Sequence, residues 1–251
     1  MSAPLLELEN VSKRFGGLVA VDGVTLRVPQ GGVTGVIGPN GAGKTTLFSL
    51  IAGSERASSG RVSFDGVDVT GLAAHGRARL GIGRTFQITQ PFAGLSVREN
   101  IAVGAYLRHA RREDALARAG EIAGLVGLSD RLEVAASGLT VSARKRLEVA
   151  RALATEPKLL LLDECFAGLN PSEARDFAAV VRDIAARGVT VLMIEHVLQA
   201  VMSLCGHVHV LAEGRLIAEG APAQATRDPK VIEAYLGKGA AARLDKGAAH
   251  V

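Results

Sequence analysis

Residues 38–46 read GPNGAGKTT, and the fold turns on them. Gly38, Gly43, Lys44 and Thr45 satisfy the pattern G-x-x-x-x-G-K-[ST], with Pro39, Asn40, Gly41 and Ala42 as the spacer and Thr46 following. Upstream, GVTGVIG (32–38) is short, apolar and β-branched, which suits a strand buried on both faces. Downstream, KTTLFSLIAG (44–53) reads as a helix stopped at Gly53. Strand, glycine loop and helix in that order form the setting in which such a loop cradles phosphate. The glycines let the backbone wrap the phosphates with its N–H groups inward, and the helix N-terminus adds partial positive charge. Lys44 would reach the β and γ phosphates, and the Thr45 hydroxyl would ligate Mg²⁺.

Working outward, LLELENV (5–11) and VTLRV (24–28) alternate apolar and polar as half-solvated strands do, and VSFDGVDV (62–69) predicts a hairpin at Asp65-Gly66. From about residue 88 to 157 the pattern becomes helical. SVRENIAVGAYLRHA, EDALARAGEIAGLVG and ARKRLEVARALATE each space apolar residues three or four apart, and Pro157 should end the third. Strand and helix then alternate again: KLLLLDE (158–164), PSEARDFAAVVRDIAARG (171–188), VTVLMIEH (189–196), a further helix, and a hairpin HVHVLAEGRLIAEG turning at Glu213-Gly214. This order predicts an α/β fold, a P-loop NTPase core with a mostly parallel sheet, an N-terminal antiparallel β part and an inserted helical subdomain. The expected division is a core of residues 1–87 and 158–237, a helical lobe at 88–157, and a flexible tail at 238–251.

The acids Asp163 and Glu164 close the strand KLLLLDE, at the carboxyl edge where parallel sheets bind ligands. Downstream of a P-loop, Asp163 is expected to hold Mg²⁺, through water, and Glu164 to polarise the attacking water as general base.

Bulk composition narrows the class. The 251 residues suffice for one large domain with an inserted lobe, and 48% hydrophobic with 22% charged is an ordinary globular balance. A net charge of +4, with basic and acidic residues interleaved, does not indicate nucleic acid as a partner. Cys165 and Cys205 lack metal-site spacing and have apolar neighbours, so inert buried thiols are expected. The opening MSAPLLELENVSKRF does not read as a signal peptide, and VTVLMIEHVLQAVMSLC is broken by Glu195 and His196, so no spanning helix is expected. The reading is a chain soluble by itself, with any membrane role as a peripheral subunit.

Taken together, the P-loop and the acid-ended strand resemble an ATP-binding cassette subunit of an ABC transporter, across nearly the whole chain. The resemblance places Phe15 of VSKRFGG at the aromatic that stacks on adenine. It places Gln87 of RTFQ at the glutamine that joins core to lobe, senses the γ-phosphate, ligates Mg²⁺ and contacts the membrane subunit. AGLNPSE (167–173) matches the loop that crosses the dimer, and His196 matches the switch histidine. RTFQ, PFAGLSVRENIAVGAYLRH and PKVIEAYLG are similar to cassettes of the hydrophobic amino acid uptake family, while Cys165 stands where a proline is usual. The resemblance implies ATP and Mg²⁺ as cofactors, transmembrane permease subunits and a second cassette as partners, and a solute-binding protein as an indirect one. The implied location is the cytoplasmic face of the inner membrane. Alternatives are a lipopolysaccharide-export type of cassette, a cassette that binds ATP but scarcely hydrolyses it, and a soluble cassette acting on DNA or ribosomes.

One stretch departs from the pattern. Aligned on RLEVARAL, residues 139–143 occupy the signature motif, which approximates LSGGQ in the family. Leu139 matches and Thr140 keeps a hydroxyl, but Val141 and Ser142 replace glycines and Ala143 replaces glutamine. A lost charge-assisted hydrogen bond to the γ-phosphate costs about 1.5–3 kcal/mol, roughly 10- to 150-fold, which impairs rather than abolishes. Ser142 is expected to offer a helix cap, and Arg144 and Lys145 either attract phosphate at long range or form a solvated basic face. In a head-to-tail dimer this signature faces the partner's ATP. A homodimer would then carry two weak sites and a heterodimer one, and the heterodimer is the expected form.

Overall fold

In the computed structural model, residues 3–85 and 91–237 are described. Strands β1 (Leu6–Phe15) and β2 (Leu18–Val28) pair antiparallel, and β1 also pairs β4 (Ser59–Phe64), which turns over Asp65-Gly66 into β5 (Val67–Asp68). Between them lie β3 (Val33–Ile37), buried at every residue, and α1 (Lys44–Ala52). The chain continues through α2 (Ala74–Leu80) and β6 (Ile82–Arg84), then α3 (Val97–Ala105), α4 (Arg112–Leu125) and α5 (Val141–Leu153). It returns to alternation with β7 (Leu159–Asp163), α6 (Pro171–Ala186), β8 (Thr190–Ile194), α7 (Leu198–Leu204), β9 (His207–Ala212) and β10 (Arg215–Gly220). Helices α8 (Pro222–Ala225) and α9 (Pro229–Leu236) follow.

The strands form two sheets. One is antiparallel, in the order β2-β1-β4-β5, and the other runs β10-β9-β3-β8-β7-β6 with only β10 antiparallel to its neighbour. Alternation along the buried strands divides the core. On β7 and β8, Leu159, Leu161, Leu192 and Ile194 face a cluster shared with the antiparallel sheet and α1. Leu160, Leu162, Val191 and Met193 face the opposite cluster, which runs without a break into the apolar sides of α3, α4 and α5. Two covered faces are what a parallel sheet requires.

Local chemistry sets several helix starts. Ser96 and Glu99 form a reciprocal capping box at α3, and Asn170 with Glu173 forms another at α6 behind Pro171. The third helix stops at Leu153 rather than running to Pro157, because the chain turns at Thr155 and takes a positive φ at Glu156. Helix α2 and strand β6 are elements the sequence reading left unassigned. In α2, Arg77 is only 2% exposed, and its guanidinium donates to Leu50 O, Ile51 O, Leu72 O and Thr70 O at 2.6–3.2 Å. A cation there caps the C-terminal carbonyls of α1, the helix that follows the glycine loop. Arg77→Met leaves those buried carbonyls without a donor, and we expect a stability loss of about 3 kcal/mol, read as a lower urea midpoint at unchanged slope.

Candidate active site

The carboxyl ends of β3, β7 and β8, adjacent in the sheet, bring the predicted residues together. Gly38 (φ 149°) ends β3 and Gly43 (φ 97°) starts α1, and both conformations favour glycine. No side chain caps α1, in contrast to α3, α5 and α6, so its first amides are turned to the loop and open to an anion. Lys44 is buried, and its Nζ donates to Gly38 O at 2.8 Å and Pro39 O at 2.9 Å. Burial lowers its pKa, and the negative charges of Glu164 and Asp163 oppose that shift. Beside the loop lies a cleft of ≈ 580 Å³ lined by Leu18, Ala20, residues 40–46, Glu164 and Gly214. Phe15 stands at the tip of the β1–β2 hairpin, 46% exposed, with Lys13 Nζ 4.6 Å from its ring centre. A larger crevice of ≈ 890 Å³ lies between α4 and the far end of α6 and contains no residue of the glycine loop.

Asp163 is buried. Its Oδ2 accepts from Arg84 at 3.1 Å, while Oδ1 has no hydrogen-bond partner among the described residues, and desolvation raises its pKa. An orphaned carboxylate oxygen within electrostatic reach of Lys44 suits a divalent cation. Glu164 sits in the left-handed region at φ 49°, which is strained for a non-glycine residue and turns its side chain out of the strand line. Its amide donates to Ile194 O at 3.0 Å, and His196 Nδ1 lies 3.9 Å from its Oε1. His196 itself is exposed, two residues beyond β8.

Four groups brace this edge through contacts that sequence reading did not foresee. Thr85 accepts from the Asp163 amide at 3.1 Å and lies 3.5 Å from Cys165 Sγ. Glu195 is buried and accepts from Phe166 N at 2.9 Å, tying the β8 end to the loop after Glu164. Lys145 of α5 donates to Glu164 O at 3.2 Å. Tyr235 of α9 is placed against the Gly38 backbone. A buried acid, a threonine at a strand end and a tyrosine in a late helix carry no local motif, so only the packing reveals them.

The stretch 139–143 starts α5. Thr140 provides the cap, accepting from Ala143 N at 3.3 Å, so the cap is not Ser142. Val141 is 60% exposed at the first helical position. Arg144 and Lys145 are not a solvated basic face: Arg144 donates to Ser137 O at 2.9 Å, and Lys145 is committed to Glu164. Both cysteines are free and buried, and burial pushes each thiol up to about 12. Gln87, and the tail from residue 238, lie outside the described residues.

Residues 21–167 match the family model described as ABC transporter. The chain belongs to the ABC transporter family. Its C-terminal part, residues 215–241, matches the model described as branched-chain amino acid ATP-binding cassette transporter. The cassette is 38% identical to the high-affinity branched-chain amino acid transport ATP-binding protein BraF of Pseudomonas aeruginosa, over 95% of this chain and 100% of that protein. It is 35% identical to LivG of Escherichia coli, a protein of the same description, with the same coverage. Among solved structures, a nucleotide-free ATP-binding cassette from an ABC transporter superposes with a TM-score of 0.86 at 35% identity, covering 94% of this chain and 100% of that one. A cassette solved in its ADP conformation gives the same values. The cassette therefore binds nucleotide, and its ATPase activity is coupled to transport. No helix among its described residues is long and apolar enough to cross a membrane.

Burial pushes the Glu195 carboxyl up to about 7 from its ordinary 4.5, with the Phe166 amide acting in the opposite direction. Between those values the folded cassette holds a proton that the unfolded chain has released, so stability from this group grows as pH falls from 7 to 4.5 and is lost as pH rises through 7. The wild type should gain about 3 kcal/mol over that window relative to Glu195→Gln. Urea titrations of both at several pH values check this, and parallel profiles would contradict it.

Proposed function

We propose that this cassette is the ATP-hydrolysing subunit of an importer for branched-chain or other hydrophobic amino acids. It works with permease subunits at the cytoplasmic face of the membrane, a solute-binding protein acting indirectly. The solute class is supported by the names of BraF and LivG and by the match at residues 215–241. No observation favours the lipopolysaccharide-export alternative. The working division is an ATP-binding core, 1–87 with 158–237, and a helical lobe, 88–157.

One observation carries the catalytic reading: Lys44, Asp163, Glu164 and His196 meet at the carboxyl edge of three neighbouring strands. In this reading residues 38–46 wrap the triphosphate with their amides, and Lys44 exchanges the carbonyls of Gly38 and Pro39 for β and γ oxygens. Phe15 offers its exposed ring to adenine. Thr45, Asp163 and Gln87 would hold Mg²⁺, which when bound neutralises developing phosphate charge. Glu164 takes the proton of the attacking water, and His196, close to its carboxylate, fixes that geometry. Lys145 and Glu195 position the backbone on which Glu164 stands.

The signature of this chain, Leu139 to Ala143, acts on the ATP of a second cassette paired head to tail. Val141 and Ser142 then weaken the partner's site and spare the one built on Lys44. An asymmetric heterodimer follows as the working form. In the native complex Glu164→Gln should lower turnover by about 100-fold or more. Val141→Gly with Ser142→Gly should raise turnover by a small factor. Steady-state phosphate release from the reconstituted complex measures both, and unchanged turnover in Glu164→Gln would remove Glu164 from the reaction.

A further inference from the structure

The face of β9 that turns toward the antiparallel sheet reads His207, His209, Leu211. Two imidazoles thus stand in a row that otherwise joins an apolar cluster, and His209 is 1% exposed. Glu219 of β10 is the direct cross-strand neighbour of His209. One ligand atom from each of His207, His209 and Glu219 lies within 4.8 Å of the other two.

The tautomer of His209 follows from its partners. Nε2 sits 3.3 Å from Arg27 O, and a carbonyl can only accept, so Nε2 carries hydrogen. In the neutral ring Nδ1 then presents a lone pair, and it lies 3.1 Å from Glu219 Oε2. Two acceptors at that distance repel unless something positive lies between them. Glu219 is the charged partner facing Nδ1, but the contact falls short of the alignment of a good hydrogen bond, so a shared proton holds the pair only weakly. A metal ion requires no such alignment. Donors about 2.1 Å from one ion are separated by about 3.0–3.4 Å, so the Nδ1–Oε2 spacing is already that of two neighbouring ligands. The Arg27 carbonyl supplies the outer hydrogen bond that ordinarily fixes a metal-bound imidazole. His207, half-buried with its ring 4.9 Å from that of His209, offers the third donor.

We propose that His207, His209 and Glu219 form a binding site for a divalent transition ion of the Zn²⁺ class, with water in the fourth position. Two imidazoles and one carboxylate suit that class better than Mg²⁺, which prefers oxygen alone. The site lies on the β9–β10 hairpin, away from the Mg²⁺ position expected at Asp163. Glu219 is exposed and gives the ion access from solvent. The hairpin also borders the glycine loop, since Gly214 N donates to Ala42 O at 3.1 Å and Gly214 O accepts from Asp22 N at 2.8 Å. An ion joining β9 to β10 stiffens that wall.

The test is isothermal titration of the chelator-treated full chain with Zn²⁺, followed by Co²⁺ absorbance spectra. The wild type should take up one equivalent and show the visible bands of low-coordinate Co²⁺. His207→Gln and Glu219→Gln, both at accessible positions, should each weaken Zn²⁺ binding by roughly tenfold or more and lose the bands, while their circular dichroism stays that of the wild type. Zn²⁺ should also raise the melting temperature of the wild type and not of His207→Gln. Absence of uptake by the wild type, or equal uptake by wild type and both variants, would overturn the proposal.

Discussion

The rest of the site depends on how closely three backbones approach at the glycine loop. A Cβ on Gly38 would stand 2.0 Å from Leu211 O, and one on Gly43 would stand 2.3 Å from Ala20 O. Both obstacles are carbonyls of strands in well-packed sheets, and neither can step aside as a flexible side chain would. Leu211 belongs to the parallel sheet and Ala20 to the antiparallel one, so the loop is wedged where the two sheets meet. That wedge aims the start of α1 at the cleft and holds Lys44 beneath it. Strands β3, β7 and β8, buried at every residue, supply the rigidity against which the loop keeps its shape.

Electrostatics follow from the same geometry. Lys44, Asp163 and Glu195 are all drawn out of water near one strand edge, and each shift is dominated by desolvation. Glu164 and then Asp163 offset part of the cost for Lys44, Arg84 does so for Asp163 with Lys44 adding less, and the Phe166 amide does so for Glu195. Such a cluster is costly to fold and is therefore a mark of function. In the proposed function, a triphosphate with its cation would supply the charges that offset this desolvation.

Much of the fold was legible because its signals are local. The run GVTGVIG before glycines, the Asp65-Gly66 hairpin and the helical spacing after Ser96 all act within a few residues, and each appears as expected. Pairing order is not local, yet the alternation of strand and helix was enough to imply a parallel sheet. The three helices of the lobe were also readable, but the end of α5 was not, since a turn at Thr155 competes with Pro157. What stayed hidden depends on distant partners. Arg77 looks like one of several basic residues in a short helix until the carbonyls of α1 close around it. Lys145 looked like part of a solvent-facing stripe, and only the packing of α5 against the strand edge shows it bonded to Glu164. The left-handed conformation of Glu164 has no signature in composition, because glycine would be the usual choice there. At residues 139–143 the choice of Thr140 over Ser142 as cap required the helix start itself.

The direct test of the wedge is equilibrium binding of Mg·ATP, by fluorescence titration, to the wild type and to Gly43→Ala. A methyl group 2.3 Å from Ala20 O has to displace the loop, so affinity should fall by at least about 100-fold while circular dichroism keeps the α/β signature. Equal affinity in the two proteins would mean that nucleotide is not held by this loop as described.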